Sequence, residues 1–410
     1  MKKILFSVFT IAALGFVTSC SDDDDPIVGP DVPQGEDIVK TGIIEENETW
    51  TANNIYILDG RVVVDEGVTL TIEPGTIIKA EDGQASNASA LIVDRGAKLM
   101  ANGTAEKPII FTSVNDEIQV GETESVGLEV ADAGQWGGVI VLGNAPISVA
   151  AAGGVGYIEG LPAGLSYGEY GGTNETDNSG SFKYLSIRFS GVVLEQDAEI
   201  QGLTLGGVGS GTTVEDIEIF SNKDDGIEFF GGTVNVKNVL IYGQEDDGLD
   251  VDQAYKGTID NAIVIQIESN VGSALEIDGP EGNLAGAFTM KNITINMNNQ
   301  GKFIGDFRDG ATGNLENVYI YNVNATGSSV NLNDVKSVGT FNADNIKFSN
   351  IEVILPEGKS VADLFTHKGE VAPVIAKFTD NVSAVEAGSE TVGADVSVFD
   401  WTLAKSKDLL

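Results

Sequence analysis

The chain has 410 residues, 62 acidic against 23 basic, for a formal charge of −39, and 42% of it is hydrophobic. That charge excludes nucleic acid and anionic membrane surfaces as partners and favours calcium or basic ones. The apolar content excludes a disordered acidic tail, and 51 Gly against 10 Pro suits many short strands joined by tight turns.

The first element is Met1-Lys2-Lys3, an apolar run from Ile4 to Val17, and then Thr18-Ser19-Cys20. A basic start, a short apolar stretch and small residues before a cut site make a secretory signal over 1–19. The run falls short of the roughly 20 apolar residues of a membrane-spanning helix. The ending resembles the lipobox of bacterial lipoproteins, which implies cleavage before Cys20 and lipid on its thiol. Cys20 is the only cysteine, so a disulfide within the chain is excluded. Ser21-Asp22-Asp23-Asp24-Asp25 resembles the surface-export signal of lipoproteins from the Bacteroides–Flavobacterium group. The resemblance implies a chain tied to the outer membrane by its lipid and facing the cell exterior. Residues 20–40 read as an acidic tether. The plain alternative is a soluble secreted protein with an unpaired Cys.

A repeat follows. Asp216-Ile217-Glu218-Ile219 recurs from Asn238, Asn261, Asn292, Asn317 and Asn345, at steps of 22, 23, 31, 25 and 28 residues. Each unit is a turn residue leading a period-2 strand. A second track joins Asp225-Gly226-Ile227-Glu228-Phe229, Asp247-Gly248-Leu249-Asp250-Val251 and Ser273-Ala274-Leu275-Glu276-Ile277. A unit this short cannot bury its apolar face alone, but stacked on its neighbours it can. Such coils resemble the right-handed parallel β-helix of the pectin-lyase-like superfamily, with an asparagine ladder at the leading positions. The passage from Leu70–Ile78 and Leu91–Leu99 through Gly103-Thr104 and Pro108–Ser113, with Trp136–Gly143 after it, looks like β-helix lipoproteins of Bacteroidota. The expected fold is all-β, a right-handed parallel β-helix of about a dozen coils over 41–358. Residues 115–181 form a loop-rich insertion and 359–410 a C-terminal cap. A β-sandwich or propeller fits the short, irregular repeat less well.

The register assigns outward columns. Glu228, Asp250 and Glu276 share one, Asp252 and Asp278 the next, with Asp224, Asp225, Asp246 and Asp247 in the adjoining turns. Carboxylates one strand spacing apart, about 4.8 Å, repel unless solvated or neutralised. Asp225, Glu228, Asp247, Asp250, Asp252, Glu276 and Asp278 are therefore candidate Ca²⁺ ligands, the other reading being a solvated acidic face. On the first track Phe220, Tyr242, Ile265, Asn296 and Tyr321 should stack outward, with Tyr319 nearby. Phe220, Tyr242, Tyr319 and Tyr321 could stack sugar rings, or lie beneath the insertion or a partner.

His367 is the only histidine, so His-based triads and zinc sites are excluded. The superfamily resemblance implies polysaccharide chemistry: lyases with Ca²⁺ and an Arg or Lys base, or hydrolases with paired carboxylates. The weak catalytic candidates are Asp246, Asp247 and Asp250 for the acids and Lys223, Lys256 and Arg308 for the base. The Gly-His-Gly turn and Arg-Ile-Lys strand of polygalacturonase-type enzymes are absent. The expected function is a non-catalytic surface lipoprotein binding a glycan or an outer-membrane protein partner, as an accessory to a transport or secretion assembly. The alternative is a calcium-dependent polysaccharide lyase or glycoside hydrolase.

Overall fold

The computed structural model describes residues 35–410 apart from 84–86, 150–153, 160, 162–164, 196–197, 268–271 and 300–301. The signal segment, Cys20 and the tether up to residue 34 lie outside the described residues.

The chain winds as a right-handed parallel β-helix built on one 24-stranded sheet. The ladder face stacks twelve rungs in parallel, from Asp37–Ile44 to Val382–Ala384. At about 4.8 Å per rung the eleven spacings give about 53 Å. Inward side chains fuse into one core along the helix, with Trp50, Trp136, Phe229, Phe288 and Phe307 fully buried. At the C-terminal end Phe341, Phe348, Phe365 and Phe378 pack ring against ring.

Long strands such as Thr213–Asn222 and Asn235–Gln244 turn a corner at a left-handed residue three places after their start, and a second left-handed residue, Ser221 or Gly243, stands just before their end. Asp216, Asn238, Asn261, Asn292, Asn317 and Asn350 hold the corner at φ between 55 and 65°. A short polar side chain tolerates this backbone where a larger one is strained. Their amides bond from coil to coil. Asn238 Nδ2 donates to Asp216 Oδ1 (2.8 Å), Asn261 to Asn238 (2.9 Å), Asn317 to Asn292 (3.1 Å) and Asn350 to Asn317 (2.8 Å). The last rung therefore belongs to Asn350, and the expected Asn345 is corrected. The helix Val335–Asn342 lies in this coil and lengthens the step from Asn317 to 33 residues. Asn238→Ala should cost about 2–3 kcal/mol, from the left-handed backbone and a lost amide bond. Asn238→Gly should recover roughly half, since only the backbone term is relieved. Urea midpoints of the two variants separate the terms; equal, near-native midpoints would mean the ladder is ornamental.

Two segments cover the outside. Within 115–181 the strand Val139–Leu142 continues the helix, so the insertion is two excursions on either side of it. From the second excursion Ile147, Ile158, Leu161 and Tyr170 bury against Val63, Ile92 and Ile140. The cap is also corrected. Residues 359–384 add a further coil, with Phe365–His367 on Ser329–Leu332 and Val382–Ala384 on Ile346–Val353. The chain then doubles back along the ladder face as a strap. Its backbone N–H groups donate to side chains of successively earlier coils. Thr391 donates to Glu352 (2.6 Å), Ala394 to Thr294 (2.8 Å), Asp395 to Asn261 (2.6 Å) and Ala404 to Glu218 (2.9 Å). Phe399 and Leu403 bury against Phe220, Leu240 and Ile263. Among the described residues no helix is long and apolar enough to cross a membrane.

Candidate functional site: a buried acidic track

One outward column runs the length of the second face. In register it reads Ile43, Val63, Ile92, Ile140, Thr204, Glu228, Asp250, Glu276, Asp306, Asn331, Thr366. Val63, Ile92 and Ile140 lie under the inserted segment. Beyond that roof the column turns acidic for four consecutive rungs. Glu228, Asp250 and Glu276 thus share a column as expected, and Asp306 joins them. Asp306 escapes a period-2 count because a bulge between Phe303 and Gly305 shifts the alternation by one.

The turns before these strands bring in more carboxylates. A Cβ on Gly226 would stand 2.6 Å from the Gly248 carbonyl oxygen, so only glycine lets these coils approach. The close stacking places Asp225 beneath Asp247, whose backbone N–H donates to Asp225 Oδ1 (2.8 Å). Asp224, Asp225, Asp247, Glu228, Asp250, Glu276 and Asp306 are all at least nine-tenths buried.

Partners are unevenly distributed along the track. Asp306 accepts from Asn331 Nδ2 (2.6 Å), Asn333 Nδ2 (2.9 Å) and Arg308 Nε (2.9 Å). Arg308 also pairs with Glu276 and reaches Asp278 at 4.0 Å. Asp247 accepts from the Ser273 N–H and shares a carboxyl–carboxyl hydrogen bond with Glu276. In contrast, Glu228 Oε2, Asp250 Oδ1 and Asp278 Oδ1 are buried and have no partner.

Burial therefore dominates the electrostatics. It pushes the carboxyls of Asp225, Glu228 and Asp250 well above the usual range, and neighbouring carboxylates add to the shift. Asp224 and Asp252 rise to about 8 by burial, then by the charges of Asp246 and of Asp278 respectively. Asp246 and Asp278 rise to about 6 by burial, moderated by Arg308. Glu159 of the inserted segment rises to about 7 by burial and the Glu199 charge. Burial opposes the Arg308 charge, but Glu276, Asp306 and Asp278 outweigh it and its pKa rises.

The donor set fits a divalent cation. One carboxylate oxygen from each of Asp225, Glu228 and Asp250 lies within 4.8 Å of the others, as do oxygens of Asp224, Asp225 and Asp246. Opposite ligands of Ca²⁺, at 2.3–2.6 Å each, stand about 4.6–5.2 Å apart, whereas those of Mg²⁺ stand about 4.2 Å apart. Two of the three residues that carry an orphaned oxygen, Glu228 and Asp250, belong to this set. The other expected ligands lie outside this set. Asp247 and Glu276 are bonded to one another, and Asp252 and Asp278 lie in the neighbouring column, where the register puts them.

Two of the three basic candidates are spent elsewhere. Lys223 pairs with Glu245 (2.5 Å) and Lys256 with Glu175 (3.0 Å). Lys302, which sequence reasoning missed, lowers the pKa of Asp246 through its charge. The aromatic column also needs correction. Phe220 is fully buried under the strap and offers no face to a sugar, and Tyr242, half-buried, has one face stacked on it at 5.4 Å. Tyr319 and Tyr321 stack at 5.2 Å and stay half-buried, with Gly393 of the strap against Tyr319.

These features define a parallel β-helix with an acidic track beside a roofing insertion. The chain belongs to the family of the pectate-lyase like beta helix domain, whose family model matches residues 42–404. No curated protein and no solved structure matches it significantly.

Proposed function

We propose that this chain is an outer-membrane lipoprotein, lipidated at Cys20 and facing the cell exterior. In this reading the β-helix is braced by calcium and binds a glycan or protein partner without cleaving it, as an accessory to a transport or secretion assembly. The observation that carries the calcium reading is the pair of buried, partnerless carboxylate oxygens on Glu228 and Asp250. Buried polar groups without partners are costly, and an ion would satisfy both. Asp225, Glu228 and Asp250 would hold it, and its chemistry there is charge neutralisation.

Two features support binding over cleavage. A general base must be able to take a proton near the working pH. Arg308, held protonated by three carboxylates, is poorly suited to that role. Glycosidase carboxyls stand about 5–9.5 Å apart across a sugar. Asp247 and Glu276 are instead hydrogen-bonded to one another. One observation favours the lyase alternative: Lys302 is a cation near Asp246. Reducing-end release on acidic and neutral polysaccharides, with calcium and with chelator, separates the two. The expected result is none above the no-protein blank. Calcium-dependent release abolished by Asp247→Ala and Asp250→Ala would establish the enzyme instead.

A further inference from the structure

A second feature lies three rungs, about 14 Å along the axis, toward the N-terminus from Glu228. A cavity of about 850 Å³ opens between the turns at Glu66 and Asp94-Arg95 and the inserted segment around Tyr167 and Asn174. That volume suits a small-molecule site. Its walls are fixed by bonds across the gap. Arg95 donates to the Gly171 carbonyl (3.1 Å) and to Glu169 Oε2 (2.6 Å), and Asp94 Oδ1 accepts from the Gly168 N–H (3.2 Å). Asn174 N–H donates to the Asn144 carbonyl (2.9 Å). The repeat does not need this segment to close its core, and insertions of a solenoid commonly build its binding face.

We propose that this cavity is the binding site for a neutral saccharide. The inference rests on the glycan-binding reading above and gives it a place and a ligand class. Planar carboxylate, amide and guanidinium groups suit the paired hydroxyls of a sugar, and Tyr167, partly buried against the apolar cluster beneath the insertion, is the aromatic residue of the lining. Glu66, Asp94 and Glu169 stand against the single charge of Arg95, so the cavity repels uronates. It is separate in place from the acidic track.

The test is calorimetric titration of the intact chain with gluco-, manno- and xylo-oligosaccharides and with oligogalacturonate. A neutral oligosaccharide should bind. Tyr167→Ala should weaken it at least tenfold, Glu66→Gln severalfold, and Tyr321→Ala should leave it unchanged. Glu66 is exposed, so its variant keeps the fold if the Tyr167 variant does not. Binding lost in Tyr321→Ala but intact in the other two would overturn the cavity while glycan binding stands. Oligogalacturonate binding that depends on Tyr167 would overturn the charge argument. Failure of every oligosaccharide to bind the intact chain would remove both the site and the glycan reading.

Discussion

In chelator, the melting temperature should fall as pH rises from about 5 to 8, and millimolar Ca²⁺ should restore most of the loss. Unfolded carboxyls titrate near 4, whereas in the folded chain Asp246 and Asp278 rise to about 6, Glu159 to about 7, and Asp224 and Asp252 to about 8. A carboxyl with a raised folded pKa binds protons more tightly in the folded state. Its stabilising contribution is full below pH 4 and is lost as pH climbs through the folded value. The groups facing this cluster are mostly further acids, Asp225, Glu228, Asp247, Asp250, Glu276, Glu199 and Glu281, with Arg308 and Lys302 as the nearby cations. A bound cation replaces the protons, so its benefit is largest at pH 8. Ligand at a thousandfold its Kd contributes about 4 kcal/mol, on the order of 5 °C or more for a chain of this size. The double variant Glu228→Gln, Asp250→Asn should melt higher than the native chain in chelator at pH 8 and gain nothing from calcium. A native melting temperature that rises with pH in chelator would contradict the buried acidic track.

The strap carries the second large effect. Phe399 and Leu403 are almost fully buried against Phe220, Leu240 and Ile263, on coils about 140–180 residues earlier in the chain. Phe399→Ala should cost about 3–5 kcal/mol, the range for emptying a buried aromatic site. Removing residues 391–410 should do more than destabilise. It uncovers Leu240 and Ile263 in one column and Phe220 and Ile265 in the next, an apolar patch that promotes association. Light scattering should show oligomers of the shortened chain beside a monomeric native chain, with a lower urea midpoint. A shortened chain that stays monomeric and melts like the native one would mean that the strap is an accessory.

The ladder and the acid column were legible for one physical reason. Each coil must repeat its neighbour's inward side chains at a fixed spacing, so Ile217, Val239 and Ala262, and Glu228, Asp250 and Glu276, align by counting. Counting fails where the backbone departs from the repeat. The helix before Asn345 moves the last ladder position to Asn350, and the bulge at Gly305 hides Asp306. It also says nothing about what lies over a face. The Phe220–Tyr242 column had the right register, but its cover comes from Phe399 and Leu403 in a segment with no periodicity. Glu159 and Glu199 reach the acidic track from non-repeating segments, so no alternation pointed to them.

The most direct measurement is calorimetric titration of the chelator-stripped chain with CaCl₂ at pH 8, beside the Glu228→Gln, Asp250→Asn variant. At least one ion should bind the native chain with micromolar or tighter affinity, and the variant should lose that binding at least a hundredfold. A native chain that takes up no calcium, or a variant that binds it unchanged, would contradict a cation site on the acidic track.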